Sequence, residues 1–129
     1  MEKNKIMLVD DEKDFLRMVK LNLEETGKYE VRALSSAKNI ISELHGFRPD
    51  LILLDILMPN INGMEVCDML NKDPMGIGVP VIILSALQKD RNKIDAFKAG
   101  VVDYLTKPIE SGALIAKIDK ALAFKKNTT

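Results

Sequence analysis

Three acidic residues, Asp10, Asp11 and Glu12, stand directly after the apolar run Ile6–Val9, and a fourth, Asp55, directly after Leu51–Leu54. Ser85 closes the run Val79–Leu84, and Thr106, Lys107 and Pro108 follow Val101–Leu105. If these runs are neighbouring strands of one open parallel sheet, the side chains meet at its carboxyl edge, where such sheets bind ligands. Asp10, Asp11 and Asp55 then share a site with the Lys107 ammonium and the Ser85 hydroxyl. Two carboxylates about 4 Å apart repel by roughly 4 kcal/mol at an effective dielectric near 20, so three stay ionised together only with a proton or a cation among them. An all-oxygen donor set, with positions left for water and phosphate, suits Mg²⁺, with Mn²⁺ as the alternative ion. One carboxylate beside such an ion can attack a phosphoryl group and become an aspartyl phosphate. Positioning and charge neutralisation dominate that transfer; Lys107 supplies a second positive charge and Ser85 a hydroxyl donor to a phosphoryl oxygen.

The elements that must position these residues follow from periodicity. The four runs, with Tyr29–Leu34 as a fifth that alternates more, have the length and the Ile, Val and Leu content of strands buried on both faces. Between them the spacing is helical. Phe15, Leu16, Val19 and Leu23 share a stripe that Gly27 stops. Ala37, Ile40, Ile41 and Leu44 form a second, with Ser36 as the expected N-cap and Gly46 behind. Val66, Cys67 and Leu70 form a third, and Leu114, Ile115, Ile118, Ala121 and Leu122 the last. The fourth segment, Gln88–Lys98, carries only Ile94, Ala96 and Phe97 as apolar residues and is expected to pack shallowly, or to be an ordinary surface helix. Strict β-α alternation implies an α/β domain, a parallel sheet with helices on both faces.

Composition narrows the classes. The chain has 129 residues, 47% hydrophobic and 29% charged, which reads as one globular domain over residues 1–129, with a core of about 4–124 and a polar tail at 125–129. Nineteen basic residues balance nineteen acidic ones, which favours neither nucleic acid nor an anionic membrane as a direct partner. A single cysteine, Cys67, excludes an intramolecular disulfide and a multi-cysteine zinc site, and a single histidine, His45, excludes a multi-histidine one. No signal peptide or membrane span is visible, so a soluble, cytoplasmic protein is expected.

Taken singly, each candidate also has a structural reading. Asp10 and Asp11 suit a helix N-terminus, Asp55 a turn containing Pro59, Asn60, Asn62 and Gly63, Ser85 a cap, and Lys107 a solvated surface. His45 suits a helix C-terminus, Cys67 a small buried hydrophobe, and Met58, Met64, Met69 and Met75 core or loop filler. Their joint placement after strands one, three, four and five is what these separate readings leave unexplained.

Four motifs, IMLVDDE (6–12), LILLDILMPNINGME (51–65), VIILSA (81–86) and AGVVDYLTKP (99–108), resemble the receiver domain of two-component response regulators in order and spacing. The resemblance implies a flavodoxin-like (βα)5 three-layer sandwich with sheet order 2-1-3-4-5. It makes Asp55 the phosphoacceptor. Asp11, Asp55 and the Leu57 backbone carbonyl become direct Mg²⁺ ligands, with Asp10 holding the metal through water. It assigns Lys107 to the phosphoryl group, a cis bond to Lys107–Pro108, and a switch to Ser85 and Tyr104, whose ring turns inward as the hydroxyl moves. The implied phosphodonor is a sensor histidine kinase or phosphotransfer protein. The implied output is a changed face of the fourth helix, fifth strand and fifth helix, acting on a downstream protein, a fused output domain or a second copy as a phosphorylation-dependent dimer. Such a protein is a switch rather than a turnover enzyme.

Three features depart from the usual pattern. Ser85 stands in place of threonine, Val101 and Val102 replace small or acidic residues, and leucines occupy positions 57 and 87, which border the path of attacking water. Two leucines there are expected to lengthen the life of the phosphorylated form. The alternatives are a Mg²⁺-dependent phosphohydrolase, disfavoured because Asp10 and Asp11 are adjacent rather than spaced Asp-x-Asp, and a pseudo-receiver that only binds partners.

Overall fold

The computed structural model describes residues 2–56, 58, 62–85 and 100–127, with side chains up to Ala123. The expectations for segment 88–98, for Leu57 and Leu87, and for the turn residues Pro59 and Asn60 fall outside these residues. The described elements run β1 (Asn4–Val9), α1 (Lys13–Glu25), β2 (Tyr29–Leu34), α2 (Ile40–Phe47), β3 (Leu51–Asp55), α3 (Gly63–Lys72), β4 (Val81–Ser85), β5 (Val101–Thr106) and a C-terminal helix (Ser111–Asn127). Among these residues no helix is long and apolar enough to cross a membrane.

All five strands pair in parallel, in the order β2-β1-β3-β4-β5. This is the flavodoxin-like order, with its switch point between β1 and β3. Alternate strand residues feed two cores. Met7, Val9, Ile52, Leu54 and Ile83 pack with Ile40, Leu44 and Phe47 of α2 and Val66, Cys67 and Leu70 of α3. Ile6, Leu8, Leu53, Ile82 and Leu84 pack with Leu16, Val19 and Leu23 of α1 and Leu114, Ile118 and Leu122 of the C-terminal helix. With both faces covered, strands β1, β3 and β4 read as unbroken apolar runs.

Several local expectations need correction. The second helix starts at Ile40 with Asn39 as N-cap; Ser36 instead accepts a bond from the Lys38 amide at 3.1 Å, in a turn before the helix. Gly46 lies inside that helix, which ends where Arg48 adopts the left-handed conformation (φ 54°). The last helix runs to Asn127, so Lys125 and Lys126 of the polar tail belong to its end, as the sequence suggests. Met58 is buried, Met64 partly so, and Met75 lies exposed in the loop after α3, but Met69 is exposed on α3 and fills neither core nor loop. Gly27 does terminate the first helix, at φ 76°.

Register brings the polar residues to one edge. Val9 pairs with Leu54, so Asp10 and Asp55 leave the sheet side by side; Asp55 pairs with Leu84, and Ser85 with Thr106. The β4–β5 ladder shifts between Val81 and Ile82, whose partners are Val101 and Asp103. Val102 is the extra residue of this bulge and is exposed, while Val101 is buried. The chain after β3 is pressed hard against α3: a Cβ on Gly63 would lie 2.5 Å from the Ile56 Cα. Asn62 caps α3 by accepting the Met64 amide at 3.0 Å.

Candidate functional site

The site begins where β1 ends. The Asp10 amide donates to the Leu34 carbonyl at 3.0 Å, extending the β1–β2 ladder by one residue and fixing the backbone of the turn. The Asp10 side chain is fully buried. Its Oδ1 accepts the Glu12 amide at 2.9 Å and its Oδ2 accepts the Lys107 ammonium at 2.7 Å. Glu12, not Asp10 or Asp11, is the N-cap of α1, and its side chain makes no capping bond.

Asp55, at the end of β3, is also buried, whereas Asp11 is exposed. Asp10, Asp11 and Asp55 each offer one carboxylate oxygen, and these atoms all lie within 4.8 Å of one another. They fit a hard divalent cation, because the donors are all oxygen and one ammonium balances only part of their charge.

Lys107 reaches this cluster from the residue after β5. Its amide donates to the Ser85 carbonyl at 2.8 Å, which extends the β4–β5 pairing and anchors the lysine backbone. The Lys107–Pro108 bond is cis. The ammonium donates to Asp10 Oδ2 at 2.7 Å, Glu12 Oε1 at 2.9 Å and Asp55 Oδ2 at 3.5 Å, and stands 4.3 Å from the centre of the Phe15 ring. The lysine side chain is 12% exposed and the Glu12 side chain 64%.

Electrostatics follow from this crowding. Burial raises the Asp10 pKa; the bonds from Lys107 and the Glu12 amide pull it back and the Asp55 charge pushes it up, leaving it raised. Burial alone would lower the Lys107 pKa, but its bonds to Asp10 and Glu12 outweigh that and raise it.

The structure thus brings Asp10, Asp11, Asp55 and Lys107 together, with Ser85 buried at the adjoining strand end. Tyr104 is half-buried and packs against the α2–α3 core. Sequence reasoning missed the enclosure of Lys107 by Glu12 and Phe15. Glu12 was visible only as the third acid after β1, and Phe15 only as part of the α1 stripe.

Residues 6–119 match the family model described as "Response regulator receiver domain". The chain belongs to this family. The receiver is 33% identical over 114 residues to the DNA-binding dual master transcriptional regulator RpaA of Synechocystis sp., a match covering 88% of this chain and 47% of that protein. It is 33% identical over 117 residues to the phosphate regulon transcriptional regulatory protein PhoB of Pseudomonas aeruginosa, covering 91% of this chain and 51% of that protein. The receiver therefore spans about half the length of these curated relatives. A CheY-like response regulator receiver domain protein from Methanospirillum hungatei superposes with a TM-score of 0.91 at 26% identity, covering 99% of this chain and all of that one. Receiver domains are signalling switches of two-component systems, not turnover enzymes, and the family uses Mg²⁺ at this acidic pocket.

Proposed function

We propose that this receiver is the phosphorylation-activated switch of a two-component phosphorelay, with Asp55 as phosphoacceptor. The observation that carries the reading is the cluster itself: three carboxylates whose ligand atoms lie within 4.8 Å of one another, with the Lys107 ammonium reaching two of them. Asp11 and Asp55 would hold Mg²⁺ directly, together with the Leu57 carbonyl on the strength of the sequence resemblance, and Asp10 would hold it through water. When bound, the ion neutralises the acids and the equatorial oxygens of the incoming phosphoryl group.

The chain's own residues do the rest. An Asp55 oxygen attacks phosphorus, the bond from phosphorus to the donor nitrogen of a histidine kinase or phosphotransfer protein breaks, and the imidazole leaves. Lys107 holds a phosphoryl oxygen, and the Ser85 hydroxyl donates to another as Tyr104 turns inward. Leu57 and Leu87 shield the acyl phosphate from water, so Leu57→Asn with Leu87→Glu shortens its lifetime; an unchanged hydrolysis rate refutes the shielding.

The output surface includes β5 and the C-terminal helix, and the sequence resemblance adds segment 88–98 to it. An open cavity of about 560 Å³ on the side of β5 and the C-terminal helix, lined by Val79, Pro80, Val102, Asp103, Lys117 and Lys120, supports docking there. The partner is an output domain, as in the regulatory relatives, or a second receiver, and the setting is the cytoplasm.

Incubation with acetyl phosphate and Mg²⁺ tests the core of the proposal. A hydroxylamine-sensitive adduct forms on Asp55 and is absent from Asp55→Asn. No adduct, or continued turnover of a small phosphate ester without one, refutes it.

A further inference from the structure

Lys107 is held by more than the phosphoacceptor site requires. An ammonium has three N–H donors. Two are committed, to buried Asp10 at 2.7 Å and to Glu12 at 2.9 Å; Asp55 lies at 3.5 Å, the limit of a hydrogen bond. The Phe15 ring at 4.3 Å closes a further side with its electron-rich face. In this arrangement the ammonium is withdrawn from the residue it is proposed to serve.

The two strong contacts differ in how readily they let go. Asp10 is fully buried, and separating it from the lysine leaves a carboxylate without water. Glu12 is 64% exposed, and water replaces the lysine at once. While the Asp10 charge is not shared with another cation, the ammonium therefore moves toward Asp55 most readily by release of Glu12. Among the described residues the side-chain partner of Glu12 is Lys107, and the carboxylate makes no capping bond at the head of α1.

We infer that Glu12 is a positioning residue that holds Lys107 back from Asp55 in the unphosphorylated receiver and yields it when a phosphoryl group arrives. This deepens, and rests on, the reading of Asp55 as phosphoacceptor. Glu12 touches neither the acceptor oxygen nor the donor; it acts through Lys107 and sets how often the ammonium is available.

Two variants test this. Glu12→Gln removes the charge-assisted contact. Glu12→Asp keeps the charge but withdraws it by one methylene, so it separates the contact from general repulsion of an anionic donor. Both raise the rate constant for phosphorylation of Asp55 by acetyl phosphate at fixed Mg²⁺, by roughly two- to fivefold for Glu12→Gln, the strength of a half-solvated ion pair. In both, the NMR signal of the Lys107 ε-methylene moves toward the position it takes in the parent on adding beryllofluoride. Either variant reacting at or below the parental rate, or an unmoved ε-methylene signal, overturns the inference. A parent protein that forms no adduct on Asp55 instead overturns the phosphoacceptor reading, so the two failures are distinct.

Discussion

Replacing Asp55 by asparagine stabilises the metal-free receiver. In the parent, Asp55 faces the Asp10 and Asp11 carboxylates with ligand atoms within 4.8 Å, and the Lys107 ammonium at 3.5 Å. At an effective dielectric near 20 each repulsion is at least about 3.5 kcal/mol and the attraction about 4.7 kcal/mol. With the share of exposed Asp11 at between half and full strength, the balance favours the neutral amide by about 0.5–2 kcal/mol. Releasing a buried carboxylate from desolvation acts in the same direction. For a domain of this size the gain raises Tm by roughly 2–8 °C. Thermal melts followed by far-UV circular dichroism at neutral pH in EDTA read the difference directly. Adding Mg²⁺ then reverses it. The parent, with three charged ligands, gains about 2.7 kcal/mol at a hundredfold excess over Kd, and the variant, with two, gains less. An Asp55→Asn protein that melts at or below the parent in EDTA refutes the claim that the acid cluster is strained without a cation.

Other consequences are independent of phosphorylation. Gly63→Ala places a methyl group 2.5 Å from the Ile56 backbone, so urea unfolding registers a loss of about 1–3 kcal/mol as β3 and α3 are forced apart. The Asp73 pKa is held below its reference of 3.8 by the hydrogen bond to His45 and by the Met75 amide. A depressed carboxylate contributes stability above its unfolded pKa and loses it as pH falls through the folded value; in Asp73→Asn the acid limb of the stability curve is correspondingly shallower below pH 3.8, and an unchanged limb refutes the pairing. Burial pushes the Cys67 thiol up to about 12, so the native protein resists Ellman's reagent at mildly alkaline pH and reacts at the rate of unfolding; immediate labelling contradicts that burial.

The strands were legible because a continuous apolar run has one economical reading when helices cover both faces. The one strand start placed too early shows what such a run omits. The run begins at Val79 but pairing begins at Val81, because Pro80 has no amide to donate and serves the sheet only through its carbonyl, which accepts the Ile52 amide. Helix ends were less legible. Ser36 and Gly46 have the composition of a cap and a stop, yet the serine closes a turn three residues ahead of the observed N-cap and the glycine is carried through by the packing of Leu44 and Phe47. The Val102 bulge left no trace, since two adjacent valines suit a regular strand equally well. Asp10, Asp11, Asp55 and Lys107 were legible for a topological reason: each stands at or just past the carboxyl end of a strand, and parallel register alone brings such residues together. Glu12 and Phe15 were not, because their approach to Lys107 depends on the angle at which α1 leaves the Asp10 turn.

That approach also links the two cationic demands of the pocket. Asp10, Glu12 and Asp55 place three carboxylates around one ammonium, and Asp11 adds a fourth beside Asp10 and Asp55. Lys107 lies where negative charge is densest and least hydrated, against Asp10, and uses Glu12 as its solvent-side partner. Asp10 is also one of the three acids that fit a divalent cation, so Lys107 and the cation contend for the same carboxylate. Their affinities for it are therefore coupled, and the coupling is reciprocal. A substitution that draws Lys107 off Asp10 tightens Mg²⁺ binding, and Mg²⁺ binding loosens Lys107 from Asp10. Glu12 weakens this coupling in one respect and strengthens it in another: it gives the displaced ammonium somewhere to remain, and it adds a fourth negative charge that favours both cations. On the proposed reading, the lysine is delivered to Asp55 only when the acid cluster is neutralised and a phosphoryl group outcompetes Glu12, which makes its arrival depend on metal and phosphodonor together.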